Sequence, residues 1–85
     1  MLGEKLHEIY KIYPFCCISI TDNSNVHAVF IDVELYFRGK HLPIRNGVQF
    51  TLDEINKDER LQNYIVEKTL EQIRKFIDQT LRIGE

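Results

Sequence analysis

The most regular pattern in the chain is residues 28–37, which read Ala28-Val29-Phe30-Ile31-Asp32-Val33-Glu34-Leu35-Tyr36-Phe37. From position 29 onward, the odd-numbered positions all carry large apolar side chains. Because successive side chains of a β-strand point to opposite faces, this alternation predicts an antiparallel strand with one face in a core. The inward residues are Val29, Ile31, Val33, Leu35 and Phe37, and the open face presents Phe30, Asp32, Glu34 and Tyr36.

The residues before this strand predict a partner strand and a turn. Residues 15–21 are rich in β-favouring side chains and place Cys16, Ile18 and Ile20 on one side. The following Asp22-Asn23-Ser24-Asn25 favours a turn, because short polar side chains bond locally to the backbone.

The residues after it predict a hairpin and an edge strand. Arg38-Gly39-Lys40 suits the hairpin tip, and residues 41–44 return as a strand. Pro43 has no N–H for a ladder and therefore suits the edge of the sheet. Asn46-Gly47 predicts a second turn or a bulge before residues 48–50.

Helical periodicity occurs at both ends of the chain. Apolar residues at positions 2, 6, 9 and 13 predict a first helix, which Pro14 ends. Thr51-Leu52-Asp53-Glu54 matches a capping box and predicts a helix start. Glu59 and Gln62 interrupt the apolar stripe that begins there. We therefore expect a short helix over 52–57, a break near 56–58 and a long helix over 58–83.

The long helix carries two neighbouring apolar stripes. One consists of Val66, Leu70, Ile73, Ile77 and Leu81, and the other of Leu61, Ile65, Phe76 and Ile83. Their combined arc is wider than the roughly 100° needed for packing on one surface, so we expect two neighbours for this helix. The sheet and the first helix would supply both. A partner protein or a second copy on the second stripe would do so equally well, which leaves a homodimeric structural subunit as an alternative.

These elements predict an α+β fold, in which a small three-stranded antiparallel sheet carries helices on one face, in the order α-β-β-β-α(-α). With 85 residues and 44% hydrophobic content, we expect one domain over residues 1–85. The chain has no apolar run long enough for a membrane span or a signal peptide, and adjacent Cys16 and Cys17 suit a reducing compartment. We therefore expect a cytoplasmic protein that does not enter a membrane.

Catalytic and ligand-binding signatures are missing from the sequence. His7, His27 and His41 have no second ligand at a zinc-binding spacing, and no glycine pattern suits a phosphate loop. Neither cysteine precedes an oxyanion loop of the kind a nucleophile requires. We expect a protein that is not an enzyme and that uses no metal and no cofactor.

The open strand face is the first candidate for binding. It presents the aromatic side chains of Phe30 and Tyr36 beside the carboxylates of Asp32 and Glu34. Aromatic anchors surrounded by charge favour contacts with another protein. The leading hypothesis is a non-catalytic module, namely an inhibitor, adaptor or accessory subunit, that binds a protein of unknown identity through this face.

The hairpin tip is the second candidate. It gathers four basic side chains beside aromatic neighbours: Arg38, Lys40, His41 and Arg45. Such a cluster is typical of surfaces that hold a phosphate backbone and stack bases. Because the net charge of the chain is −2, long-range attraction to nucleic acid is weak, and nucleic-acid binding is the alternative hypothesis.

The order α-β-β-β-α resembles that of double-stranded-RNA-binding domains. That family uses a lysine-rich motif at the start of its last helix to grip phosphates. The corresponding residues 53–60 contain four acidic and two basic side chains here, so the resemblance does not extend to the binding residues.

A second similarity rests on the N-terminal half. A short helix, a strand ending in Thr21-Asp22-Asn23-Ser24-Asn25, an apolar strand over 26–35, a hairpin and C-terminal helices together resemble the plan of small phage anti-CRISPR proteins of the type II-A class. Those proteins are non-catalytic plugs on a nuclease, so the resemblance implies an inhibitor encoded by a phage or mobile element. The chain lacks the heavy acidity that such mimicry favours.

Overall fold

The computed structural model describes residues 1–23 and 25–83, and for residue 83 the backbone alone. The helices are α1 (Leu2–Ile12), α2 (Leu52–Asn56) and α3 (Glu59–Ile83), and the strands are β1 (Cys16–Asn23), β2 (Ala28–Phe37) and β3 (Lys40–Val48). The strands form one antiparallel sheet in the order β1-β2-β3. The predicted α+β fold and its order of elements are confirmed.

The core lies between the inward side of β2 and the helices. Val29, Ile31, Val33 and Leu35 are 0% exposed, while Phe37 is half-buried near the end of the strand. The buried helical partners are Leu2, Leu6, Ile9, Ile55, Ile65, Ile73 and Phe76. The helices thus cover one face of the sheet, as the alternation in β2 predicts.

Helix α3 contacts both β2 and α1, which are the two neighbours expected from its wide apolar arc. From the second stripe, Ile65 and Phe76 are 4% and 7% exposed, and Leu61 is half-buried. The side chain of Ile83 lies outside the described part of the chain. Packing within one chain therefore accounts for Ile65 and Phe76, and the homodimer stays a prediction.

Polar residues also lie on the buried side of α3, where the helical pattern did not place them. The Gln62 amide is buried and its Nε2 donates to the Ile55 carbonyl at 2.9 Å, close to the end of α2. The Thr69 hydroxyl donates to the Ile65 carbonyl at 2.9 Å. Gln62 interrupts the apolar stripe, as predicted, yet its side chain is buried because its amide reaches the Ile55 carbonyl, which also accepts from the Asp58 N–H. The break between the two helices is confirmed.

The turn between β1 and β2 begins later than predicted. Asp22 and Asn23 belong to β1, where they pair with Val29 and Ala28. The Asn25 amide donates to Asn23 Oδ1 at 3.2 Å, so Asn23 initiates the turn from the last position of the strand. Ser24, which the prediction placed in the same turn, lies outside the described residues.

Asn46-Gly47 is not a turn or a bulge, and this prediction is wrong. Both residues lie within β3, opposite Ile31 and Phe30 of β2. An added Cβ at Gly47 would lie 3.4 Å from Phe30 Cε1, so glycine leaves room for that ring. Asn46 and Gln72 of α3 exchange two amide hydrogen bonds of 2.9 Å each, which join the sheet edge to the helix.

The hairpin tip between β2 and β3 lies where predicted but is one residue shorter, because Lys40 is the first residue of β3. Arg38 and Gly39 have φ values of 51° and 78°, and Phe37 pairs with Lys40 across them. Two left-handed residues in succession form the tight turn whose twist matches that of the flanking strands. This two-residue tip fixes the register of the whole β2–β3 ladder.

The predicted capping box begins α2 and also holds the β1–β2 turn. Thr51 donates from its N–H to Glu54 Oε1 at 2.9 Å, and Glu54 N–H donates to the Thr51 hydroxyl at 3.2 Å. The Thr51 N–H and hydroxyl both donate to the Glu54 carboxylate and lower its pKa. His27 Nε2 lies 2.8 Å from the same carboxylate, so the turn is tied to the helix.

Among the described residues, no helix combines the length and apolarity needed to cross a membrane.

The outer edge of β1 is closed at Ile18 by a side chain of α1. The Tyr10 hydroxyl accepts from the Ile18 N–H and donates to the Ile18 carbonyl, the latter at 3.0 Å. Both backbone groups therefore point away from β2. A single phenol thus satisfies the groups that a neighbouring strand would otherwise pair with.

We expect Tyr10→Phe to lower the free energy of unfolding by about 1–2 kcal/mol, because it leaves two part-buried backbone groups without their partner. Urea denaturation measures the change, and amide exchange at Ile18 should accelerate. The matched control is Tyr64→Phe, since Tyr64 is 61% exposed and should tolerate the loss within about 0.5 kcal/mol. Equal stability of the two variants would show that Tyr10 does not close the edge.

Candidate functional site

The sheet face opposite the helices, called here the open face, is uncovered by any described element. Its register aligns the outward side chains in four cross-strand rows: Thr21-Phe30-Gly47, Ser19-Asp32-Arg45, Cys17-Glu34-Pro43 and Tyr36-His41. The four residues predicted from β2 therefore lie in one line along the middle of this face. They meet side chains of β1 and β3 that the sequence analysis did not assign to it.

The central row contains a two-pronged ion pair. Arg45 Nε donates to Asp32 Oδ1 at 2.7 Å, and Arg45 Nη2 donates to Asp32 Oδ2 at 3.2 Å. The guanidinium hydrogen bond lowers the pKa of Asp32 and raises that of Arg45, so both groups stay charged at neutral pH. The pair fixes both side chains in one geometry before any partner arrives.

The same guanidinium covers an aromatic ring in the next row. Arg45 Cζ lies 5.1 Å from the centroid of the Phe30 ring, which is a cation–π distance. On its β3 side Phe30 rests over Gly47, where no side chain competes for the space. Phe30 is consequently half-buried and held in place, although it lies on the open face.

At the hairpin end of the open face, the side chains of Tyr36, His41 and Glu34 form a second cluster. The rings of Tyr36 and His41 stack with centroids 4.4 Å apart and planes 3° from parallel. His41 Nε2 lies 3.5 Å from Glu34 Oε1, and the Tyr36 hydroxyl donates to Glu34 Oε2 at 3.4 Å. Partial desolvation, followed by the nearby Glu34 carboxylate, raises the pKa of Tyr36, so its hydroxyl stays neutral and able to donate.

The β1 side of the open face carries small side chains. Cys17, Ser19 and Thr21 are exposed there. A shallow depression of about 360 Å³ lies on this face, bordered by Ser19, Asp32, Glu34 and Pro43 among others. The depression therefore crosses the middle rows of the face, with Phe30 and Tyr36 beyond it on either side along β2.

The structure separates the predicted basic cluster. Arg38 and Lys40 lie at the hairpin tip, where Arg38 Cζ is 5.5 Å from the Phe37 ring centroid. Arg45 is five residues beyond Lys40 along an extended strand, which is about 17 Å. Arg45 contacts Asp32, and His41 lies beside Glu34. Acidic side chains of β2 thus face two of the four basic ones.

The cysteines and histidines do not converge on one place. Cys16 points into the core, where burial raises the pKa of its thiol and Sγ donates to the Tyr13 carbonyl at 2.9 Å. Cys17 points to the open face on the other side of β1. Within the described residues, no group of three or more His, Cys, Asp and Glu side chains is placed to hold a metal ion.

The sequence pattern groups basic residues of 38–45 as one patch, which hides the outward positions of β3. A signal for them was present in the hairpin. A two-residue tip at Arg38-Gly39 places Phe37 opposite Lys40, and counting back along both strands places Asp32 opposite Arg45. The ion pair follows from register, which the alternation within a single strand does not reveal.

We expect Arg45→Ala to raise the pKa of Asp32 toward its ordinary value of about 3.9. Because the folded-state pKa is lowered, the pair stabilises the fold above pH 3.9, and this contribution is lost as the pH falls through the folded-state pKa. Carboxyl NMR titration measures the midpoint of Asp32 in the wild type and in the variant. Arg38→Ala at the hairpin tip is the control and should leave Asp32 unchanged, and identical midpoints in all three proteins would contradict the ion pair.

Comparison with known proteins adds no functional information. No protein-family model, no curated protein and no solved structure matches the chain. Its function is therefore inferred from the surface that the fold displays.

Proposed function

We propose that this protein is a small non-catalytic binding module that docks another protein on its open face. The observation that carries the proposal is the pre-arranged row of side chains along β2 and β3. Asp32 and Arg45 hold each other, Phe30 lies under the guanidinium, and Tyr36 stacks on His41. Binding through side chains that are already ordered costs less conformational entropy than binding through free ones.

The composition of the face suits a protein interface. Tyrosine and arginine are the residue types that most often dominate binding energy, and Tyr36 remains 50% exposed despite its stacking. A ten-residue strand in a three-stranded sheet gives a face of roughly 34 by 14 Å, or about 480 Å² in projection. Since stable interfaces use about 800 Å² per partner, the partner would also contact the hairpin tip or the β1–β2 turn.

The electrostatics favour protein over nucleic acid. Nucleic-acid binding gains affinity when a protein cation displaces counterions that are condensed on the phosphates. A cation that already pairs with a carboxylate displaces few of them. Arg45 contacts Asp32, and His41 lies 3.5 Å from a Glu34 oxygen. This leaves Arg38 and Lys40 of the predicted basic cluster, which is too little charge to hold a nucleic acid tightly at physiological salt.

The proposal admits an inhibitor, an adaptor or an accessory subunit. An anti-CRISPR-like inhibitor is its narrowest form and rests on the resemblance of the N-terminal half alone. Cys16 and Cys17 are free thiols on opposite sides of β1, which supports action in a reducing compartment such as the cytoplasm.

The test is capture of partners from the native host by the wild type and by matched variants, after nuclease treatment. We expect at least one protein bound by the wild type to be lost with Tyr36→Ala and with the double variant Phe30→Ala/Tyr36→Ala. With purified components the Tyr36→Ala change should weaken binding about tenfold or more, which is the effect of losing a single anchor of about 1.4 kcal/mol.

Ile12→Ala is the control, because it removes an exposed apolar side chain from the end of α1, outside both the open face and the edge of β3. It should capture the same proteins as the wild type. Thermal unfolding establishes that each variant is folded. The proposal fails if the folded Tyr36 variants keep every partner. It also fails if nuclease abolishes capture and salt-sensitive nucleic-acid binding depends on Arg38 and Lys40.

A further inference from the structure

We infer that the free edge of β3 is a second docking surface, on which an extended acidic segment of another protein adds a fourth strand to the sheet. This surface differs from the open face, because it uses the backbone of β3 and the groove between β3 and α3. It goes beyond the proposed function and does not depend on it.

The direction of the backbone groups follows from β1. The N–H and C=O of Ile18 bond to Tyr10 and so point away from β2. In an antiparallel ladder, the backbone N–H and C=O groups of successive residues point alternately to one side of the strand and to the other. Ile18, Val33 and Ile44 lie in one cross-strand row. Because the groups of Ile18 point away from β2, those of Val33 point toward β3, where they face the groups of Ile44. The outward-pointing positions of β3 are His41, Pro43, Arg45 and Gly47.

Pro43 divides this edge into two parts. A strand docked beside Pro43 loses one ladder bond, since proline has no N–H, and this discourages pairing with the tip-proximal half. Arg45 and Gly47 present N–H and C=O groups at successive outward positions beyond it. In the described part of the chain, no segment pairs with β3 on this side. An added strand would therefore bond to the C-terminal half of β3.

A groove of about 510 Å³ runs beside that half of β3. Residues 45–50 form one wall, and Leu61, Tyr64, Ile65 and Lys68 of α3 contribute to the other. Phe50 and Tyr64 are 43% and 61% exposed. Side chains of an added strand that point toward the helices would enter this groove and cover both rings, which is how strand addition gains specificity beyond its backbone bonds.

The charges along the edge select an acidic occupant over a second copy of this chain. β3 contains no acidic residue. Arg45 is already paired with Asp32, and Lys40 lies on the tip side of Pro43, so the cation left to select the occupant is Lys68 on the α3 wall. None of the side chains found to line the groove is acidic. Pairing of β3 with the β3 of a second copy would lose a donor at each Pro43 and would bring no carboxylate to Lys68. A strand that carries carboxylates would meet Lys68 instead.

Selection of a phage-displayed library of random short peptides against the full-length chain tests this inference. We expect the enriched peptides to alternate apolar and acidic residues. Binding of the synthetic peptides should shift the amide resonances of Arg45, Gly47 and Gln49. N-methylation of alternate peptide amides should weaken binding at least about tenfold, because it removes ladder bonds and keeps every side chain.

Charge-reversed variants supply the matched comparison. Lys68→Glu should weaken binding about tenfold, and Arg74→Glu, which reverses an exposed cation elsewhere on α3, should change it less than about twofold. The inference is overturned if no peptide is enriched, if the enriched peptides are not acidic, or if N-methylation or Lys68→Glu has no effect. Loss of peptide binding in Tyr36→Ala would place the site on the open face and overturn it as well. Concentration-dependent dimerisation through β3 would also overturn the inference.

Discussion

Burial of one side of β2 is the constraint from which the rest of the structure follows. Val29, Ile31, Val33 and Leu35 have no exposed surface, and each buried aliphatic side chain contributes about 1.5–3 kcal/mol. The four together contribute roughly 6–12 kcal/mol as an upper estimate, which is comparable with the whole net stability of a typical domain. β2 therefore occupies the centre of the sheet, and α1, α2 and α3 lie on the side to which these residues point.

The period of two that buries this row places the alternate residues of β2 on the open face, and the neighbouring strands then determine their chemistry. Asp32 is opposite Arg45, and Glu34 is beside His41, so the charges of the face are largely paired within it. Phe30 and Tyr36 lie toward opposite ends of this paired region. Contacts through such a face depend mainly on shape and apolar area, and salt should weaken them little.

The features that the sequence predicts well are those decided by local chemistry, such as the alternation of β2, the Thr51–Glu54 cap and the edge position of Pro43. The features it missed depend on residues far along the chain. Asn46-Gly47 is a turn signal by itself, but the ring of Phe30 and the amide of Gln72 hold it in a strand. Register decided the ion pairs of the open face in the same way, so its β2 residues were predictable and their partners on β1 and β3 were not.

The two edges of the sheet differ, and the difference bears on what can bind. The Tyr10 hydroxyl occupies the outward groups of Ile18, which removes one pairing position in the middle of β1. On β3, Pro43 lacks the N–H that a docked strand would use on the tip-proximal half. The half beyond Pro43 combines outward backbone groups that no described segment pairs with the apolar groove against α3. These two features together are what the proposed strand addition requires.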